Sequence, residues 1–483
     1  MKSVKKRVLG LIVALALCIS AVPFNIVAEE NETENVVDSN EATETESVDN
    51  SIEYVAQVGN DKYEDLQSAI DAAKNNGSVD LLTSVILSSP LTIGKDYSVN
   101  INLSGHDISY TSDVIGEAMI ANKGELTIND ETNAGKISYQ YTGNGDSTFG
   151  KGNYTITNSG KLTVNGGCIE NNTPKITHAY YTIDNNSSGA DAEIIINGGS
   201  VICSTSRTIR QFMANATNVN NLTIEGGYIE GTFAVFIQLA GSNSSIAPKF
   251  ELNINDGTLR GTDEECGFTV YVYSDGNSAA NGKINISGGT FEGDVAFNGK
   301  ACPTLVKENI SVVGGIFNGI YGGIFGYGDI PFGFISGGIF KSVPYAYYIA
   351  DGYLLAENNE NETFTVIENT YFKYLGANVP DAPVQDVPES TASLRYSYDF
   401  ADDFNFTSWG WTFYAEGKMK TVKVAGNYIT ADKITRLVVT NIASDNWSKN
   451  VCADMWFEVQ IDDVTYTVYD QTRTASVDSL SIA

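Results

Sequence analysis

Arginine and carboxylate residues in the central part of the chain are the first candidates for chemistry. A lyase needs a basic side chain beside carboxylates that hold calcium, and an inverting hydrolase needs two carboxylates about 6.5–9.5 Å apart. The arginines of this region are Arg207, Arg210 and Arg260, and no aspartate cluster accompanies them. Scattered acids are more typical of a solvated surface, and here they include Glu225, Glu230, Asp256 and Glu292. The pattern predicts no catalytic residue and favours a non-enzymatic protein.

Histidine and cysteine give little basis for a metal site. The two histidines are His106, which follows a glycine and is interpreted as a polar turn residue, and His178, which has no evident partner. No Cys-x-x-Cys pair or Cys/His spacing indicates zinc. We predict no metal ligand and no cofactor. A calcium ion bound in an acidic loop is an alternative that no motif supports. Five of the six cysteines follow residue 28; because this number is odd, we expect free thiols, with one disulfide as the alternative.

Aromatic residues offer a second kind of chemistry, the stacking of sugar rings. Trp409 and Trp411 alternate, so they share one face of a strand, and Trp447 lies in a polar stretch. We name Trp409, Trp411 and Trp447 as candidate ligand-binding residues, although burial in a sandwich core is the commoner environment for a strand face such as that of the first two. The aromatic-rich segment 314–348 has the same two interpretations, and the core is favoured there.

Charge and the N-terminal residues indicate where the chain resides. The net charge is −30, which makes nucleic acid and anionic lipid poor partners because like charges repel. Four basic residues before an apolar run predict a signal peptide over residues 1–28. Residues 29–51 are rich in acids and poor in apolar side chains, which predicts a disordered linker. We therefore expect a secreted protein that is also a candidate for the cell surface, with no transmembrane segment after cleavage.

A repeated pattern must provide the elements that position these side chains. Alternating apolar residues precede a Gly-Gly or Asp-Gly pair, whose first residue is at 166, 198, 226, 256, 288, 314 and 337. The steps of 23 to 32 residues are too short for propeller blades of about 40 residues. Period-two alternation places Leu222 and Ile224 on one inward face. The pattern predicts a right-handed parallel β-helix, in which the glycines make sharp bends.

Two further features fit a β-helix. Residues 63–77 form an amphipathic pattern, with Leu66, Ala69 and Ile70 on the apolar face, which predicts an N-terminal capping helix. Asparagine recurs at one position of the repeat, and an Asn amide can bond to the next rung of a solenoid. We interpret this column as a polar ladder, with ligand contact as the alternative; its members are Asn129, Asn165, Asn197 and Asn255.

Three segments carry a resemblance to a known family: Tyr54 to Leu82, Ile101–Ile108 and Ser342–Ile367. They resemble the opening, the first full rung and the closing segment of pectate-lyase-like β-helix modules in secreted and surface proteins of anaerobic Gram-positive bacteria. The resemblance implies the fold and export. It implies no particular activity, because one fold hosts many functions.

The chain beyond the repeats predicts a second domain. We expect the β-helix over residues 52–370, a proline-containing linker over 371–391 and a small β-sandwich accessory domain over 392–483, with short aromatic and β-branched strands. The function expected from the whole sequence is adhesion or glycan binding by a non-enzymatic protein, with a glycan or a host or cell-surface ligand as partner. The alternative is a polysaccharide lyase or glycoside hydrolase that acts on acidic polysaccharide.

Overall fold

The computed structural model of the protein describes residues 53–143, 152–174, 180–187, 189–213, 217–239, 247–263, 267–274, 279–299, 305–326, 333–380, 391–401, 408–415, 422–425, 434–461, 463–470 and 473–481. The predicted signal peptide (1–28) and acidic linker (29–51) lie outside these residues. Within them the chain is mostly β-strand, as expected.

The repeats form a right-handed parallel β-helix, as predicted. Its strands are β1 Ala56–Val58, β2 Asp61–Tyr63, β3 Asn75–Leu81, β4 Val85–Ile86, β5 Leu91–Ile93, β6 Ser98–Asn102, β7 Ile108–Ser112, β8 Ala118–Asn122, β9 Glu125–Asn129, β10 Lys136–Tyr141, β11 Tyr154–Asn158, β12 Lys161–Val164, β13 Cys168–Asn171, β14 Tyr181–Asn186, β15 Ala192–Ile196, β16 Ser200–Cys203, β17 Arg207–Met213, β18 Val219–Ile224, β19 Tyr228–Gly231, β20 Val235–Leu239, β21 Lys249–Ile254, β22 Thr258–Gly261, β23 Phe268–Ser274, β24 Gly282–Ile286, β25 Thr290–Glu292, β26 Asp294–Gly299, β27 Ile310–Val312, β28 Ile316–Phe317, β29 Ile324–Gly326, β30 Ile339–Phe340, β31 Tyr353–Asn358 and β32 Thr363–Glu368.

Each turn of the solenoid contributes one strand to each of three sheets. The first sheet has the order β2-β1-β3-β6-β9-β12-β15-β18-β21-β24-β27, and the third has the order β5-β8-β11-β14-β17-β20-β23-β26-β29. The second sheet runs from β4 through β7, β10, β13, β16, β19, β22, β25 and β28 to β30. The first sheet begins with the antiparallel strands β2, β1 and β3. From β3 onward, strands of successive turns in this sheet are parallel and lie about 4.8 Å apart.

Aliphatic side chains in register fill the interior of the solenoid. Leu222 and Ile224 are both fully buried, as the alternation predicts. One inward column of the first sheet is at most 1% exposed along its length, and it comprises Ile101, Ile128, Val164, Ile196, Ile224, Ile254, Ile286 and Val312.

The glycine pairs form the corners between the first and second sheets. The second residue of each pair has a positive φ, for example +73° at Gly199 and +95° at Gly257. A Cβ at Gly199 would also lie 2.4 Å from the carbonyl oxygen of Gly167. No positive φ occurs at Asp256, which explains why the first position of the pair accepts aspartate.

Both ends of the solenoid are covered. Helix α1, Leu66–Ala72, buries the predicted apolar face, and Asp65 caps it by accepting from the Ser68 N–H at 2.8 Å. The helix is shorter than predicted, because the chain enters β3 at Asn75. At the other end β32 pairs antiparallel with β30, so the last strand of the second sheet is not an open edge.

The C-terminal part forms the predicted β-sandwich. Its strands are β33 Phe372–Asn378, β34 Thr391–Phe400, β35 Ser408–Ala415, β36 Val422–Ala425, β37 Ile434–Ala443, β38 Val451–Ile461, β39 Val464–Tyr469 and β40 Arg473–Ala475. Helix α2, Val477–Ser481, ends the described chain, and 3₁₀ turns occur at Lys307–Asn309, Ala346–Tyr348 and Ser444–Asn446. A three-stranded sheet, β33-β34-β37, faces the sheet that contains β35 and β38 across a separate core.

Two details of the C-terminal part differ from the expectation. Phe372–Asn378, assigned to the linker from its sequence, is strand β33 and pairs with β34, because Phe372 and Tyr374 pack against the sandwich core. In addition, β31 pairs with β39 of the sandwich while its hairpin partner β32 pairs with the solenoid. The hairpin therefore joins the two parts through backbone hydrogen bonds.

Candidate ligand-binding face

The three predicted tryptophans do not form an exposed platform. Trp409 is 8% exposed and Trp411 is 2% exposed, and both belong to the sandwich core. Trp411 packs edge-to-face on Tyr398, with 5.1 Å between ring centroids. Trp447 is half-buried and its Nε1 donates to the Ile442 carbonyl at 2.9 Å. Trp409 and Trp411 therefore lie in the sandwich core, the commoner of their two interpretations, because their strand face points at the opposing sheet.

The aromatic-rich segment 314–348 divides between core and surface. Phe317 and Phe340 are fully buried and continue a stack that begins at Phe291, with 4.7 Å between neighbouring centroids. Tyr321 and Tyr347 are 41% and 50% exposed. The favoured interpretation as core therefore holds for the phenylalanines that face inward.

The outer face of the third sheet carries aromatic side chains in register from turn to turn. Because the strands are parallel, Phe236 of β20 lies beside Tyr271 of β23, and Gln238 lies beside Tyr273. The inward neighbours Ile237 and Val272 are fully buried, so alternation directs the rings outward. Packing and ring contacts extend this set to Tyr154 and Tyr181 at the starts of β11 and β14 and to Phe233, Phe268 and Tyr321. We call the whole set the aromatic strip, and it comprises Tyr154, Tyr181, Phe233, Phe236, Phe268, Tyr271, Tyr273, Tyr321 and Phe325.

Ring contacts connect the members of the aromatic strip from Phe236 to Tyr321. The centroids of Phe236 and Tyr271 lie 5.8 Å apart, those of Tyr271 and Phe268 5.5 Å, and those of Phe268 and Phe325 6.2 Å. Phe325 then stacks on Tyr321 at 5.1 Å. Within the strip Phe236 and Phe268 are buried, Tyr271 and Phe325 are half-buried, and Tyr321 is exposed. The rings therefore form a connected series along the solenoid axis, which is accessible at Tyr271, Phe325 and Tyr321.

A buried ion pair lies at one end of the aromatic strip. Arg210 donates from Nε to Asp184 Oδ1 at 2.6 Å and from a terminal nitrogen to Asp184 Oδ2 at 2.9 Å. The guanidinium lies 4.4 Å from the Tyr181 ring centroid, and it donates to the Tyr154 hydroxyl at 3.1 Å. Burial acts to lower the pKa of Arg210, but the Asp184 carboxylate outweighs this and raises the pKa above its usual range. Arg210 therefore stays protonated and is unsuited to act as a base.

Arg207 lies on the same face with a different set of contacts. Its guanidinium lies 4.3 Å from the centroid of Phe236 and 5.6 Å from that of Phe233. One terminal nitrogen donates to the Tyr181 hydroxyl at 3.2 Å. The side chain is half-buried, so the strip contains an accessible cation held against aromatic rings.

Arg260 is remote from the other two central arginines. It belongs to β22 of the second sheet, where it contacts Glu230 at 3.2 Å and Glu292 at 3.5 Å. Among the residues that the structure describes, no group of three or more His, Cys, Asp or Glu side chains could hold a metal ion.

The asparagine column is a hydrogen-bonded ladder, as the favoured interpretation states. Asn165 donates to Asn129 at 2.7 Å, Asn197 donates to Asn165 at 2.8 Å, and Asn255 donates to Glu225 at 3.0 Å. Each of these amides donates to the side chain at the matching position one turn earlier, so their recurrence has a structural cause.

The remaining candidates have ordinary structural roles where they can be placed. His106 donates its backbone N–H to Leu103 O at 2.9 Å within a turn, whereas His178 lies outside the described residues. Cys168, Cys203 and Cys452 are free thiols. Burial raises the pKa of Cys203 to about 11, which makes this thiol unreactive. Cys266 and Cys302 lie outside the described residues.

Comparisons with known proteins leave this face as the main guide to function. No protein-family model, no curated protein and no solved structure matches the chain. In the described part of the chain, no helix has the length and apolar character needed to cross a membrane.

Sequence reasoning did not find the aromatic strip, although a signal was present. The alternating aromatics of Tyr271-Val-Tyr273 mark an outward strand face, and Phe236 occupies the matching position one turn earlier. The glycine pairs align only the first and second strands of each repeat. Segments of variable length separate them from the third strand, so its register could not be read from the spacing.

Proposed function

We propose that the protein is exported, acts at or beyond the cell surface, and binds a glycan along the aromatic strip without cleaving it. The observation that carries this proposal is the run of ring contacts from Phe236 to Tyr321 on one side of the solenoid. An aromatic ring offers its face to the C–H groups of a sugar, and a tyrosine hydroxyl adds a hydrogen bond. The role that follows is adhesion or glycan capture.

The direction of the strip also favours a polymer as ligand. Parallel strands repeat every 4.8 Å or so along the axis. Phe236 of β20 and Tyr271 of β23 are neighbours in register, and Phe325 of β29 follows two turns after Tyr271, with Ala296 of β26 between them. A linear glycan that lies along the axis would meet one ring after another. Partly exposed aromatic rings that cluster on one side of a protein are a typical interaction site.

Export and origin rest on the sequence. The basic and apolar N-terminal residues support a secretory signal, and the acidic segment after them supports a spacer. The resemblance to pectate-lyase-like modules supports a secreted or surface protein of a Gram-positive bacterium. We place the sandwich as an accessory or attachment domain.

The enzymatic alternative is a lyase or hydrolase for acidic polysaccharide. Arg210 is the arginine of this face that contacts a carboxylate, and it donates two hydrogen bonds to Asp184. Proton transfer from a sugar requires a base with a free lone pair, and the paired guanidinium offers none. The contacts of this face therefore favour binding over cleavage.

One experiment tests binding and cleavage together. The purified protein is incubated with immobilised pectin, mucin glycans and bacterial wall polysaccharides, with and without calcium, and the soluble fraction is analysed by mass spectrometry. We expect retention of the protein on at least one glycan with no released fragments. The Tyr271→Ala/Tyr273→Ala variant should lose retention, whereas Tyr228→Ala on the second sheet should keep it. Fragments with a 4,5-unsaturated end, or retention unchanged in the double variant, would overturn the proposal.

A further inference from the structure

Arg207 differs from the ion-paired arginines of the described chain. Arg210 pairs with Asp184, Arg260 with Glu230 and Glu292, and Arg473 with Asp470. None of the contacts that the structure describes for Arg207 is a carboxylate; they are the rings of Phe233 and Phe236 and the hydroxyl of Tyr181. A cation held by neutral groups keeps its full charge available to a ligand.

The surrounding contacts fix the guanidinium in place. Stacking on Phe236 at 4.3 Å covers one face of the planar group, and the bond to Tyr181 uses one of its five N–H donors. The edge of the guanidinium is the part that binds carboxylate or sulfate oxygens in pairs. Because the side chain is already ordered, an anion that binds there orders little more.

The local charge is also favourable. The chain carries a net charge of −30, so a site that binds an anion must supply a local positive charge. Asp184 neutralises Arg210 beside it, which leaves Arg207 as a net positive centre within the described part of the strip. Such a centre among apolar rings attracts an anion more strongly than one in open water.

We propose that Arg207 is a subsite for an anionic group, a carboxylate or a sulfate, on the glycan that lies along the aromatic strip. This inference rests on the proposed function and adds the class of sugar. The rings of the strip hold the sugar faces, and the guanidinium edge selects units that carry an acid. Anionic glycans should therefore bind more tightly than neutral glycans of the same backbone.

The test uses matched glycans and matched cation variants of the full chain. A glycan array that contains neutral, carboxylated and sulfated versions of the same backbones is probed with wild type, Arg207→Met, Arg207→Lys and Arg260→Met. Arg207→Met keeps an unbranched apolar stem over Phe236 and removes the charge. Arg260→Met removes the same charge from the second sheet, so it reports the effect of net charge alone. Thermal unfolding of each variant checks the fold.

We expect wild type to favour an acidic glycan over its neutral match by about tenfold or more, with the preference weakened by salt. Arg207→Met should abolish the preference, Arg207→Lys should keep part of it, and Arg260→Met should keep nearly all of it. The carboxylated and sulfated arms identify the acid. Equal binding of neutral and acidic glycans, unchanged in Arg207→Met, would overturn the anion subsite and leave glycan binding intact. An array without any bound glycan would overturn both proposals.

Discussion

The buried pair of Asp184 and Arg210 allows a sharp prediction about the construction of the ligand-binding face. Asp184 is 2% exposed and Arg210 is 8% exposed, and both carboxylate oxygens accept from the guanidinium. Asp184→Asn keeps the shape of the side chain, removes its charge and places an amide N–H₂ where an acceptor is needed. The guanidinium is then a buried cation with no counter-charge.

Removing one partner of a buried ion pair costs about 3–5 kcal/mol, and we expect this loss in the free energy of unfolding for Asp184→Asn. Arg260→Met is the matched control. Its pair with Glu230 lies at the surface, with the arginine side chain 51% exposed, so its removal should cost less than about 1 kcal/mol. The double variant Asp184→Leu/Arg210→Met removes both charges, and it should recover most of the stability because no unpaired charge remains buried.

The assay is urea unfolding followed by far-ultraviolet circular dichroism, which is sensitive to the solenoid strands. Tryptophan fluorescence is less suitable for this pair, because the four tryptophans, Trp409, Trp411, Trp447 and Trp456, all lie in the sandwich. A loss below about 1 kcal/mol for Asp184→Asn, equal to that of the surface control, would refute the buried ion pair. A double variant no more stable than Asp184→Asn would refute the argument from an unpaired charge.

Three further predictions concern the fold. Burial acts to raise the pKa of Asp130, but hydrogen bonds from Thr132, Gly135 and Gly105 lower it. Asp130→Asn should therefore lower the free energy of unfolding by about 1–3 kcal/mol at pH 7, and the difference from wild type should shrink as pH falls through the lowered pKa. A difference in urea stability that is constant down to pH 3 would contradict this. Gln67 exchanges two hydrogen bonds with the Thr92 backbone at the edge of β5. Gln67→Ala should lower the free energy of unfolding by about 1 kcal/mol and promote self-association, which sedimentation velocity measures. A variant that stays monomeric with unchanged stability would count against this. Because the β31–β32 hairpin joins the two parts, circular dichroism and tryptophan fluorescence should report one unfolding transition in wild type. Ala356→Pro in β31 should separate the transitions seen by the two signals. Two transitions already present in wild type would show that the hairpin does not couple the domains.

The fold was largely predictable from sequence because its strongest determinants are local and repeated. Alternation such as Leu222-Thr-Ile224 fixes which side chains face inward, and the following glycine fixes the corner through its positive φ. The asparagine ladder was predictable for the same reason, since the repeat places Asn165 and Asn197 in one column. Each of these features depends on a few neighbouring residues and on a constant spacing within the repeat.

The candidate site was not predictable because it depends on register between distant strands. Tyr271 and Phe325 both lie on the outer face of the third sheet, but the segments between their strands have no constant length. Trp411 had two possible environments, and only the packing of β35 against Tyr398 decides between them. Phe372 was assigned to a linker because nearby prolines suggested one, whereas its ring is needed to complete the sandwich core.

Footprinting of the bound glycan tests the central claim most directly. The protein is labelled with hydroxyl radicals in the presence and absence of the polysaccharide that retains it, and modified residues are quantified by mass spectrometry. We predict protection of Tyr271, Tyr273, Phe325 and Tyr321 on the aromatic strip, with Tyr228 on the second sheet unchanged. Protection confined to the second sheet or to the region around Trp447 in the sandwich would contradict the assignment of the aromatic strip as the glycan-binding surface.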